Sequence, residues 1–245
     1  MKIALIARAA WADPQAYTVD KQRVIVKPEN LFLSLADRAV LTFAQQVVHT
    51  RGGTIDAYTF EPDAAAADRI LHEALALGAT TATKIVGGDL ADPLQQRELI
   101  QRFVQRLIKQ GQHYDLWLTG DTADSGFAAI LAQELAAYYY EHVTALDSAF
   151  NFEIGLAKGK LLGQCQLPAV ITTDDLIQVP ELATFAALKT AMVAPITTID
   201  LPIKSKPSTL VATQEQTDKV IFNLAQEPDA TAKLVAKLKQ DGILR

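Results

Sequence analysis

The sequence predicts an α/β fold: a mostly parallel, doubly wound sheet covered by helices, with a C-terminal arm and a closing helix. Three observations carry this expectation. Apolar strand-like runs alternate with helix-like stretches from the first residues onward, at spacings that suit βαβ crossovers. The runs at residues 3–7 (IALIA) and 114–119 (YDLWLT) carry apolar side chains for both faces, as buried parallel strands do. After Leu201 the composition turns polar and helix-poor (KSKPSTLVATQEQTDK, with Pro207 inside it) before a final helical stretch at 229–240. The chain therefore reads as an α/β domain over residues 1–201. An extended arm and helix follow over 202–245, placed to dock on this chain or on a partner subunit.

Taken in order, residues 3–7 form the first strand. A polar, irregular stretch through Lys27 and Pro28 is long for a loop, and such loops tend to be functional or mobile. Arg8 and Trp11 lie just past the strand's carboxyl end, where open parallel sheets bind ligands. Residues 33–48 are rich in Leu, Ala and Val, with Ser34 or Asp37 as the cap, and predict a helix. Residues 54–60 (TIDAYTF) predict a second strand. Residues 64–77 predict an alanine-rich helix closed by Gly78, and 81–86 a third strand. Residues 92–110 form a longer amphipathic helix closed by Gly111.

Next comes YDLWLTGDTADSGFAAILAQELA, residues 114–136: a buried strand, a polar turn with two glycines, then a helix. The turn gathers Gly120, Asp121, Thr122, Asp124, Ser125 and Gly126 where the helix starts. Backbone N–H groups and the positive end of the helix dipole converge there, on the place a phosphate would rest. Such turns recur throughout parallel α/β proteins, and most bind nothing. Tyr138–Tyr140 are expected to close the helix, HVTALDSAFNF to form one strand, and Lys158-Gly159-Lys160 to turn. Residues 167–173 (LPAVITT) predict a strand, 183–191 a short helix and 196–201 a last short strand.

Composition excludes several classes of function. The 245 residues are 49% hydrophobic with a formal charge of -5, and no basic face stands out for nucleic acid. Cys165 is the only cysteine, so neither an intramolecular disulfide nor a cysteine-rich zinc site can form. It reads as a small buried hydrophobe. The four histidines are scattered, with no metal or triad spacing. No Gly-x-Ser-x-Gly, Walker lysine or His-Glu-x-x-His motif is present, so no hydrolytic chemistry declares itself. The apolar start is too short for a membrane span and lacks a signal-peptide layout. A cytoplasmic protein without membrane insertion is the expectation.

Four collinear stretches carry a resemblance: LHEALALGATTATKI (71–85), LPAVITT (167–173), PELATFAALKTAMVAPITTIDL (180–201) and ATAKLVAKLKQDGIL near the C-terminus. Together they resemble the β-subunit of electron transfer flavoproteins, the FixA-like family. The resemblance implies a Rossmann-like, adenine-nucleotide-binding fold. It implies a heterodimer with an α-subunit, FAD held mainly by that subunit, and electrons delivered by a dehydrogenase. It also implies a structural AMP in the β-subunit and an arm that embraces the partner. Carried onto this chain, the cofactor-contacting positions are Ala7, Arg8, Gly120, Asp121, Thr122, Asp124, Ser125 and Gly126.

Gly120 and Asp124 match the family's nucleotide turn. Thr122 stands where the family has Gln, and residues 127–129 lack its polar Thr and Gln. Asp121 and Asp124 can satisfy the helix start themselves and repel a phosphate, with Arg8 the one obvious compensating cation. The AMP site is thus expected to be degenerate, and FAD in place of AMP stays open. Gly120→Val is expected to crowd the backbone where a nucleotide would approach. Two other readings remain on the residues alone: a stand-alone nucleotide-binding or sensor domain resembling universal stress proteins, and a small ATP-activating transferase. The arm speaks against the first, and the lack of a phosphate-binding lysine against the second.

Overall fold

The structure, a computed structural model, describes residues 1–11, 17–20, 23–27, 30–88, 90, 92–120, 126–173, 177–206 and 229–244. The strands are β1 (Lys2–Ile6), β2 (Ala9–Trp11), β3 (Tyr17–Asp20), β4 (Arg23–Val26), β5 (Leu31–Leu33), β6 (Thr54–Thr59), β7 (Thr81–Val86), β8 (Leu116–Gly120), β9 (Tyr138–Leu146), β10 (Asn151–Leu156), β11 (Gly159–Gln164), β12 (Ala169–Thr173) and β13 (Thr197–Asp200). The helices are α1 (Leu35–Arg51), α2 (Ala64–Ala76), α3 (Pro93–Lys109), α4 (Phe127–Leu135), α5 (Phe185–Ala191) and α6 (Ala230–Gln240).

Nine strands form one sheet in the order β11-β10-β9-β12-β8-β1-β6-β7-β13. The seven strands from β9 to β13 across the sheet pair in parallel, and β10 and β11 add an antiparallel hairpin at one edge. This is the doubly wound α/β architecture that the alternating pattern predicts. Four of the six helices begin where a short polar side chain takes up first-turn N–H groups. Ser34, Asp63, Asp92 and Thr184 accept from the backbone of α1, α2, α3 and α5.

Side chains alternate along the strands, so each strand feeds two cores. One face packs Ile3, Leu5, Leu116, Leu118 and Ile171 against α1 and α2. The other packs Ala4, Ile6, Trp117 and Val170 against α3 and α4. The second core is aromatic. Phe127, Phe60, Phe103, Tyr58, Trp117 and Tyr114 touch in succession, with neighbouring ring centroids 4.9–5.2 Å apart for most pairs. Tyr114 donates its hydroxyl to the Asp56 carboxylate at 2.8 Å and shares a further hydrogen bond with Tyr58.

Four local expectations are corrected. The stretch after β1 is not simply irregular: β2 pairs with β5, and β3 with β4, both antiparallel. Tyr138–Tyr140 do not close a helix. Ala136 adopts a left-handed conformation (φ 51°) that ends α4, and the three tyrosines open β9. The strand pleat then sends Tyr139 to the aromatic core and Tyr140 to the opposite one.

HVTALDSAFNF is not one strand. The Asp147 carboxylate accepts the N–H groups of Ala149 and Asn151 and turns the chain from β9 into β10. The β10–β11 turn falls at Ala157-Lys158, and Gly159 and Lys160 already belong to β11.

The chain divides into two compact units, residues 1–208 and 209–245. Of the second, α6 and its flanks are described. The helix carries i,i+4 ion pairs from Lys233 to Asp229 and from Lys237 to Asp241, and Gly242 (φ 74°) follows it. Pro207 and the arm through residue 228 lie outside the described residues. Among the described residues no helix is long and apolar enough to cross a membrane.

Candidate functional site

The chain winds from β1 outward through β6 and β7, then returns to the other side of β1 at β8. The direction of winding thus reverses between β1 and β8. At such a switch point open α/β sheets bind ligands, in the crevice outside the carboxyl ends of the strands. Ala7 and Arg8 follow β1, and Gly120 ends β8, so the structure places these three predicted residues at the crevice. Gly126 caps α4 nearby. Asp121, Thr122, Asp124 and Ser125 lie outside the described residues, as does the side chain of Trp11.

Asp37 ties the crevice together. It sits in the first turn of α1 and is fully buried. Its Oδ1 accepts the Gly120 N–H at 2.7 Å. Its Oδ2 accepts the Arg8 N–H at 2.9 Å and the Ser34 hydroxyl at 2.7 Å. Ser34 Oγ in turn accepts the Asp37 N–H at 3.0 Å, and the Ser34 N–H goes to the Arg8 carbonyl. One carboxylate therefore joins β1, β8 and α1. Burial pushes its pKa up, opposed by the hydrogen bonds from Gly120, Ser34 and Arg8 and by the Arg8 charge.

The sequence offered a signal for this arrangement. Ser34-x-x-Asp37 has capping-box spacing, which made both residues candidate caps. In the structure the acidic member reaches across to two strands instead of back to the Ser34 N–H.

Gly120 has no room for a side chain. A Cβ there would lie 2.5 Å from the Ala36 Cβ and 3.0 Å from the Asp37 nitrogen. The missing side chain makes room for α1. Ala7 is buried and its N–H is spent on the Tyr58 carbonyl at 2.7 Å.

The Arg8 guanidinium lies 5.0 Å from the centroid of Phe127, the first residue of α4. This cation sits at a helix start whose cap, Gly126, brings no side chain to the first-turn N–H groups. Thr173, at the end of β12, pairs in register with Gly120. Its hydroxyl is completely buried and has no hydrogen-bond partner among the described residues; no sequence feature singled it out.

Cations and helix-start N–H groups recognise anions. Asp37 has its oxygens occupied by three donors and no contact with solvent, so it is not placed to exchange protons with a substrate. Cys165 is buried, with its thiol pushed up to about 11 by desolvation. Among the described residues no group of three His, Cys, Asp or Glu side chains is arranged to hold a metal.

Comparison with curated proteins returns no match. A family model described as the electron transfer flavoprotein domain matches residues 23–204, well over half of the chain. That span contains β8, α4, Asp37 and the strands that flank the crevice on either side of β1. The chain belongs to the electron transfer flavoprotein domain family.

Proposed function

We propose that this chain is the β-type subunit of an electron transfer flavoprotein. It would pair with an α-type subunit that holds most of an FAD and takes electrons from a dehydrogenase. The observation that carries the reading is the switch-point crevice: a family member whose β1 and β8 ends bring Arg8 and the start of α4 together. The flavin supplies the electron-transfer chemistry when bound. This chain's part is to wall the cofactor on one side and to present a surface to its partners.

Pairing is supported by an apolar surface around α5. Val179, Leu182, Phe185 and Val193 are each more than 80% exposed, an unusual concentration for a surface facing only water.

The crevice also fits a phosphate-bearing adenine compound such as AMP. Arg8 and the α4 start supply attraction, and the Thr173 hydroxyl is a buried polar group without a partner among the described residues. The fit is reduced by Asp37, which adds negative charge and occupies the Arg8 and Gly120 N–H groups. A weakened AMP site is therefore part of the proposal.

The test is co-expression with an α-type subunit encoded beside it. A yellow complex that co-purifies supports the assignment; failure to co-purify, with no flavin retained, refutes it. Chromatography of the supernatant after denaturing the complex identifies the adenine compound released.

A further inference from the structure

Tryptophan and tyrosine are the aromatic side chains that give up an electron with comparative ease; phenylalanine resists. In the aromatic core the oxidisable rings stand together. The Tyr114 and Trp117 rings meet edge-on with centroids 4.9 Å apart, and Tyr58 touches both, at 6.0 Å from Tyr114 and 6.1 Å from Trp117. Phe103, Phe60 and Phe127 continue the contacts toward the start of α4 and offer an electron hole no resting place. The outlet lies the other way. Tyr114 and Trp117 line a cleft of about 330 Å³ just before β8, walled by Gln112, His113, Leu135 and Pro168.

Losing an electron makes a phenol strongly acidic, so a buried tyrosine accepts a hole only where a base stands ready for its proton. Tyr114 has one: its hydroxyl donates to Asp56 Oδ2 at 2.8 Å. With that proton committed, the Tyr58 hydroxyl is the donor in the bond between the two tyrosines, and it steers Tyr114 toward Asp56. Asp56 Oδ1 accepts the exposed Thr81 hydroxyl at 2.7 Å, so the base is within reach of water. Lys2 Nζ lies 5.6 Å from the Tyr114 ring centroid. A cation there disfavours a positively charged ring, so on Tyr114 the hole must part from its proton.

We propose that Trp117 and Tyr114, with Asp56 as proton acceptor, form a hole sink: an oxidising equivalent that reaches Trp117 passes to Tyr114 and leaves through the adjoining cleft. The oxidant is of the class of small inorganic radicals formed from peroxide or by light. It takes one electron from Trp117 and is itself reduced. Tyr114 returns an electron to Trp117 while its phenolic hydrogen leaves as a proton to the Asp56 carboxylate. Trp117 is restored, and the products are a neutral Tyr114 radical and a protonated Asp56. A small one-electron reductant in the cleft, such as ascorbate, then supplies an electron to Tyr114, and Asp56 gives the proton back. Oxidising equivalents are thus discharged on the side of the core away from the phenylalanines. The inference stands on the aromatic core alone and does not depend on the subunit assignment.

Pulse radiolysis of the purified full chain tests it. The azide radical oxidises tryptophan in preference to tyrosine, and Trp11→Phe leaves Trp117 as the only tryptophan. In that background the tryptophanyl absorption should decay into the tyrosyl absorption in a first-order step that is independent of protein concentration. Tyr114→Phe and, separately, Asp56→Asn should each slow this decay at least about tenfold, the rate equivalent of one charge-assisted hydrogen bond missing from the barrier. Asp56→Asn keeps the size of the side chain and removes only the base, so it reads out the proposal if the Phe variant does not fold. Tyr58→Phe disturbs the same core but keeps Trp117, Tyr114 and the base, and should slow the decay less than Asp56→Asn does. A decay unchanged in Tyr114→Phe or in Asp56→Asn, a slowing by Tyr58→Phe as large as that by Asp56→Asn, or no tryptophanyl band in the Trp11→Phe chain overturns the proposal.

Discussion

Replacing Gly120 by alanine should destabilise the protein severely although the change adds one methyl group. The new Cβ would stand 2.5 Å from the Ala36 Cβ, where two such carbons need about 3.5–4 Å. The first turn of α1 must therefore retreat by about 1 Å. Overpacking of this kind costs about 1–3 kcal/mol. The retreat also stretches the 2.7 Å bond from Gly120 to the Asp37 carboxylate beyond hydrogen-bonding range. A hydrogen bond to a charged group contributes about 1.5–3 kcal/mol. The two effects together come to about 3–5 kcal/mol, a fall in Tm of roughly 10 °C for a chain of this size. Thermal and urea denaturation followed by circular dichroism measure it. Adding Ala36→Gly removes the opposing carbon and should restore part of the loss, above the cost of about 1 kcal/mol for glycine in a helix. A Tm within 2 °C of the native value, or no coupling between the two sites, would refute the reasoning.

Other outcomes follow from single groups. Asp37 has a native pKa above its unfolded value. Its contribution to stability is therefore fully present below about pH 4 and is lost as pH rises through the raised native value. The cost of Asp37→Ala should accordingly be larger at pH 4 than at pH 7, read from denaturation curves. Glu98 runs the other way. Its carboxylate accepts the Lys204 and Ser205 N–H groups, the Ser205 hydroxyl and the Arg102 side chain, which hold its pKa down to about 2. That stabilisation is present above about pH 4.5 and disappears as pH falls toward 2. Glu98→Ala should speed amide exchange at Lys204 and Ser205 without shifting the global Tm. Tyr114→Phe removes the donor to Asp56 and leaves the Tyr58 hydroxyl short of a partner, a loss of about 1–3 kcal/mol by urea denaturation. Cys165, its thiol raised from 9.0 to about 11, should react with a disulfide reagent at pH 7.5 about 100-fold more slowly than an unshifted thiol.

The parts of the fold legible in the sequence are those written by local physics. Runs such as KIALI and LWLTG are apolar on both faces because parallel strands between two helix layers have no wet side. Gly78 and Gly111 mark helix ends because their backbones take positive φ (99° and 64°). The same runs put Arg8 just past β1 and Gly120 at the end of β8. The β9–β11 region was harder to read because it depends on pairing between segments. Tyr138–Tyr140 could end a helix or start a strand, and a left-handed Ala136 decides between them without any glycine to announce it. Asp37 was visible as a cap. Its grip on two strands, one of them 83 residues away, has no local signature.

That separation also has a meaning in time. The strands β1, β6 and β7 with helices α1 and α2 are contiguous early in the chain and can collapse as they leave the ribosome. Asp37 is then already buried under β1, holding the Arg8 N–H but waiting for its second strand. Synthesis at about 5–20 residues per second delivers Gly120, beyond the end of β7 at Val86, roughly 2–7 s later. Through that interval the flank of β1 reserved for β8 is an open strand edge beside a carboxylate with an unused oxygen. A charge held at an unfinished edge discourages pairing with a wrong strand. The acid that shapes the finished crevice would thus guard the nascent sheet until its proper neighbour arrives.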